Sequence, residues 1–156
     1  PTYYENGLVF VSNRKNKGMR QTTYSWDDTY FLDLYYSEIS DGQNLEPVAL
    51  TKRINTIFHE GPAVFFDDYS KVIFTRNNFT LGTTRTSVEG VNKLKLYYAV
   101  KGKSGKWSKP EPLPFSTDEN SFGHPAVDKT DGITAERAVL AERGRGDSYA
   151  IRSAVG

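Results

Sequence analysis

The chain has 156 residues, 37% of them hydrophobic and 13% aromatic, with 20 Lys and Arg against 19 Asp and Glu for a net charge of +1. That is the length and apolar content of one domain with a sizeable core, and its balanced charge gives no broad electrostatic attraction to nucleic acid or to an anionic membrane. Cysteine is absent, which excludes disulfides, thiolate catalysis and Cys-ligated zinc, and no apolar run nears the roughly 20 residues that carry a helix across a bilayer.

Taken in chain order, the elements read as strands and turns. The opening "PTYYENG" lacks the basic and apolar regions of a secretory signal, and the missing initial Met leads us to expect a processed or cut chain. "LVFVSN" from Leu8 reads as a strand, followed by the polar segment 14–30 and a second strand at "LDLYYS" from Leu32. After the turn "SDGQN" a complete unit follows: strand A at 61–67 ("GPAVFFD"), B at 71–77 ("KVIFTRN"), C at 92–100 ("NKLKLYYAV") and D at 106–115 ("KWSKPEPLPF"). The A–B and C–D connections, "DYS" and "KGKSG", are short, whereas 76–92 is a long insertion between B and C. No stretch before Ile133 reads as a helix.

The chain repeats itself at a spacing of about 64 residues, with small slips that mark duplicated units with altered loops. "LVFVSN" matches "VIFTRN" from Val72, and "LDLYYS" matches "LKLYYA" from Leu94. Glu46-Pro47 matches Glu111-Pro112, Asn55 matches Asn120, and Pro62-Ala63-Val64 matches Pro125-Ala126-Val127. The copies run from about 7 to 70 and from 71 to 132, and the insertion at 76–92 has its counterpart at 14–30. Without its insertion, a unit falls to the roughly 40 to 50 residues of a propeller blade.

The order "HEGPAVFFDDYSKVIFTRN", "KLKLYYAV" and "GKWSKPEPLPFSTDENSFGHPAV" resembles the WD-like, TolB-type propeller repeats of OmpA-type envelope proteins of Bacteroidetes, over residues 6 to 132. Asn55, Pro62, Phe74, Tyr97, Trp107 and Pro110 stand at that repeat's marked positions, while Asp67-Asp68-Tyr69 replaces its usual Pro-Asp-Gly turn. The resemblance implies an all-β fold of antiparallel four-stranded propeller blades, about two in this chain. It implies a non-enzymatic module in the periplasm or at the outer membrane, with a protein partner in the cell envelope. Such proteins also carry a peptidoglycan-binding domain, which this sequence does not contain. Propellers close with typically 4 to 8 blades, and "YYENGLVF" aligns with "FDDYSKVIF", so the expectation is a fragment that enters in mid-blade.

Alternating strand direction puts every second connection on one rim. Segments 14–30, 51–60, 76–92 and 116–123 therefore share a face, and the tight turns take the other. The candidate binding residues are the aromatics and histidines of that loop face: Tyr24, Trp26, Tyr30, Phe58, His59, Phe79, Phe122 and His124. The same rings would also serve to cover the rim of their own sheets, and the sequence leaves both readings open. His59 and His124, in different copies, offer too few convergent ligands for a metal, and no cofactor is expected. Adjacent acids such as Asp67-Asp68 and Asp118-Glu119 point to opposite sides of a strand, so no catalytic residue is assigned. The alternative is a fragment of a propeller-fold glycoside hydrolase or glycan-binding protein, whose chemistry would need two carboxylates facing each other across a sugar.

Residues 133–156 change style, with frequent Arg and Ala. They read either as a decayed third copy, with Val139-Leu140 and Tyr149-Ala150-Ile151 as strands, or as foreign sequence, towards which the composition leans. Ala, Glu, Arg and Leu also favour a helix over 134–143. Arg145-Gly146-Asp147 and the sequon Asn78-Phe79-Thr80 receive no role.

Overall fold

The computed structural model describes residues 1–15, 30–80, 83–127, 133–138 and 147–151. Among them every regular element is a strand, and every strand pairing is antiparallel. The first sheet takes β1 (Thr2–Tyr4), β2 (Gly7–Ser12) and β3 (Asp33–Ser40) in order, with β4 (Gln43–Asn44) and β5 (Val48–Ala49) both paired to β3. The second begins with β6 (Glu60–Phe66) and β7 (Lys71–Asn77). It is interrupted by a separate hairpin of β8 (Phe79–Thr80) and β9 (Thr83–Thr84), and resumes with β10 (Leu94–Val100) and β11 (Glu111–Pro112). The third runs β12 (Ser121–Val127), β13 (Ile133–Ala138), β14 (Asp147–Ile151).

The second and third sheets each pack their first strand on the sheet before: β6 lies against β1, β2 and β3, and β12 against β6, β7 and β10. The centre of the second sheet is thereby covered on both faces. That is why β7 carries the unbroken apolar run Val72-Ile73-Phe74, all fully buried, where a half-exposed strand would alternate. Val72 and Phe74 join Tyr4, Val9, Leu34 and Trp107 in the core between sheets one and two. Ile73 joins Leu96, Leu113 and Phe122 in the core between sheets two and three.

The duplication is visible as geometry. Phe10 and Tyr35 are cross-strand partners in the first sheet, with ring centroids 6.4 Å apart and 26° between planes. Their counterparts Phe74 and Tyr97 repeat this at 6.1 Å and 27°. Both pairs are capped by a guanidinium: Arg14 stands 5.3 and 5.2 Å from its two ring centres, Arg76 4.9 and 4.8 Å. The arginines come from different positions of the two copies, so the motif is restored by packing rather than by alignment.

Two expectations are corrected. Strand D shrinks from 106–115 to Glu111–Pro112 plus a single bridge between Lys101 and Trp107, because Pro110, Pro112 and Pro114 have no N–H to give to a ladder. Residues 133–138 form a strand instead of the first turns of a helix, held by pairing to β12 on one side and β14 on the other. β12, β13 and β14 pair in chain order, and Val139-Leu140, expected as a strand of a third copy, lies outside the described residues. No sheet closes into a ring among the described residues.

Candidate binding cleft at the loop end

The described start of each insertion is fastened to its sheet by one tyrosine. Tyr97 donates its hydroxyl to the Phe79 carbonyl at 3.0 Å and accepts the Phe79 N–H at 3.2 Å. Tyr35 donates to the Arg14 carbonyl at 2.8 Å. The base of the second insertion is tied further by Asn92, whose amide donates to the carbonyls of Asn78 (3.0 Å) and Arg85 (2.8 Å) and accepts from the Asn77 amide and the Asn78 N–H. Asn78 is fully buried in this knot, which puts the sequon asparagine out of reach of modification. Asp118 closes the far side, accepting from Lys95 at 2.5 Å and from Asn78 at 2.8 Å. Those hydrogen bonds hold its carboxyl below the usual carboxylate range.

So anchored, the loop end gathers a line of half-buried rings. Phe79 lies 4.8 Å from Phe58, Phe58 lies 6.1 Å from Phe31, and Phe31 lies 4.5 Å from His59. Three of the residues singled out in the sequence, Phe58, His59 and Phe79, thus come together, joined by Phe31, which sequence reasoning passed over. Tyr30 is half-buried beside them in the chain, and Tyr24 and Trp26 lie outside the described residues. Phe122 is corrected: it sits in β12 rather than on a loop, 8% exposed, edge-to-face with Phe115 at 5.6 Å in the second core. Its strand packs on the second sheet, and that contact buries the ring.

His59 and His124 both line a cleft of about 380 Å³ between the starts of β6 and β12. Leu32, Pro62 and Leu94 make its apolar walls, and Thr75 and Glu60 lie on its lining. The duplicated phrase explains the opening. In both copies the ladder slips around the proline before Ala-Val, between Glu60 and Ala63 and between Gly123 and Ala126. The proline lacks the donor that regular pairing needs, and the resulting bulges re-aim the strand starts. His124 accordingly takes a left-handed backbone, φ 49°, and is exposed.

His59 is oriented by backbone. Its Nδ1 accepts the Leu32 N–H at 3.1 Å, while the Leu32 carbonyl accepts the Glu60 N–H at 2.8 Å. In the neutral imidazole the proton therefore sits on Nε2. Beneath, Glu60 is fully buried and pairs with Arg76 at 3.0 Å. It also accepts the Thr56 hydroxyl at 2.7 Å and the Thr56 N–H at 3.1 Å, and Arg76 donates to the Ile54 carbonyl. Burial pushes the Glu60 carboxyl up to about 7 despite the opposing pull of Arg76. This group is committed to holding the 54–60 loop against β7. The Thr75 hydroxyl, by contrast, is buried with no hydrogen-bond partner, below Gly61 and Gly123.

What the arrangement offers is an apolar recess with two imidazoles and an unused hydroxyl. Among the described residues no group of three or more His, Cys, Asp or Glu is placed to hold a metal. Asp67 and Asp68 are exposed on the opposite turn, and Glu119 accepts the Val88 N–H, so these acids do not face each other across a site. No helix is long and apolar enough to cross a membrane among the described residues. Comparison of the chain with protein-family models, curated proteins and solved structures finds no match in any of the three.

Proposed function

We propose that the chain is a run of β-propeller blades working as a non-catalytic binding module, whose loop end grips a protein partner of the cell envelope. The observation that carries this reading is the stacking of three antiparallel meanders, the second and third each by its first strand on the sheet before, with the His59–His124 cleft at one end. Rigid sheets raising long aromatic loops are a common arrangement for recognition. The periplasm or outer membrane is the proposed setting, with tethering to peptidoglycan left to a domain outside this sequence.

A photo-crosslinking residue placed at His124, compared with one at Asp68 on the opposite end, tests it in a Bacteroidetes envelope extract. A protein adduct at position 124 that unlabelled chain competes away, and none at 68, supports the reading. Adducts at neither position, or equally at both, overturn it.

A further inference from the structure

A second cleft, of about 410 Å³, lies on the seam between the first and second sheets, where the β1–β2 turn meets the 101–107 turn. Its lining shares no residue with the loop-end cleft. Three cations converge on it, Arg53, Lys101 and Lys106, against one carboxylate, Glu5. Lys101 is spoken for, bound to Glu5 at 2.6 Å and to the Tyr4 hydroxyl at 2.8 Å. Arg53 and Lys106 are exposed and form no ion pair with a described residue. In a chain whose net charge is only +1, this is a local excess of two positive charges over an apolar floor.

The floor narrows the ligand class. Trp107 and Tyr4 are only 7% and 6% exposed, because their faces are spent on Phe65, at 6.0 and 4.3 Å, and on each other. A sugar ring stacks on an open aromatic face, and neither Tyr4 nor Trp107 has one left; half-buried Tyr36 is the remaining ring of the lining. Val48 and Leu50 form the aliphatic lip, Val48 being 58% exposed on β5, the outer edge of the first sheet. An edge strand offers unpaired backbone groups to an extended chain. We infer that this seam cleft binds an acidic peptide, an extended segment that lays a carboxylate against Arg53 and Lys106 and one neighbouring apolar side chain on Val48, Leu50 and Tyr36. The site does not depend on the loop-end reading.

The test uses the full chain and a fluorescein-labelled Asp-Glu-Leu-Asp-Glu peptide, read by fluorescence polarisation. The expected result is saturable binding that weakens by about tenfold or more in Arg53→Glu/Lys106→Glu, and weakens again as salt rises from about 50 to about 300 mM. Both side chains are exposed, so the double variant keeps the thermal midpoint of the parent, which separates loss of charge from loss of fold. Absence of binding, or equal binding by the double variant, overturns the proposal. So does an oligogalacturonate of matched charge that binds as tightly as the peptide, since that would make the cleft a site for any anion.

Discussion

Arg76 and Glu60 show how much one buried pair holds at the scale of single residues. Arg76 is 4% exposed and Glu60 0%, and between them they join β6, β7 and the 54–56 turn. Removing one partner from such a pair strands the other charge, at a cost of about 3 to 5 kcal/mol. The folded Glu60, at about 7, holds its proton more tightly than an unfolded glutamate. The stability it contributes is therefore full at low pH and is lost as pH rises towards 7. Arg76→Met should lower the unfolding free energy by several kcal/mol at pH 8 and by less at pH 5, where Glu60 can shed its charge by protonation. Urea denaturation at the two pH values checks this, and equal losses would refute it. Thr75 makes the opposite case. Its hydroxyl is buried and unpartnered, a state that costs about 1 to 3 kcal/mol. Thr75→Val keeps the shape and should raise the melting temperature by a few degrees, whereas an unchanged or lower value would mean that the hydroxyl has a partner in solution.

At the scale of elements, the strands are held in register by small residues and side-chain clamps. A methyl group on Gly7 would run into the Ser37 carbonyl oxygen and the Tyr36 ring, and backbone cannot move aside as a flexible side chain can. On Gly61 it would meet the Thr75 Cβ at 2.9 Å, against a side chain fixed in the core. Gly7→Ala should therefore be the more damaging of the two, by about 3 kcal/mol against about 1 to 2, with thermal unfolding of both variants as the check. Asn55 acts across elements. Its amide accepts the Leu34 N–H at 3.0 Å and donates to the Leu34 carbonyl at 2.9 Å, pinning the approach to β6 against β3. The aligned Asn120 instead donates to Thr117, and Ser116 takes over the Leu96 N–H at 3.2 Å. Asn55→Ala should cost about 2 kcal/mol, since two buried backbone groups lose their partner together.

At the scale of the molecule, three stacked sheets leave edges and faces that no described residue covers. β6 and β14, of seven and five residues, end the second and third sheets, and Tyr3 and Val48 stand 72% and 58% exposed on the first sheet. Unpaired edges of this kind template association. The isolated chain is expected to form oligomers at micromolar concentration, read by light scattering after size exclusion. A sharp monomer across a wide concentration range would show that the edges are protected in solution.

The alternation of apolar residues, the placing of Gly and Pro, and the duplication were enough by themselves to give strands A, B and C nearly to the residue, because hydrophobic period and turn chemistry are local. They also put His59 and His124 at one end, since alternating strand direction is a rule of connectivity. Strand D was overestimated for a local reason as well, the proline spacing outweighing its apolar content. Other features were decided by tertiary packing alone. Phe122 turned inward because its strand packs on the second sheet, Glu60 found Arg76 across the ladder, and Arg14 and Arg76 reached equivalent rings from unequal positions. The cation excess at the seam was invisible in a chain of net charge +1, because Arg53 joins Lys101 and Lys106, neighbours on one turn, only when the chain is folded. Sequence carries what neighbouring residues impose on one another, and only the folded chain sets which distant charges and rings share a space.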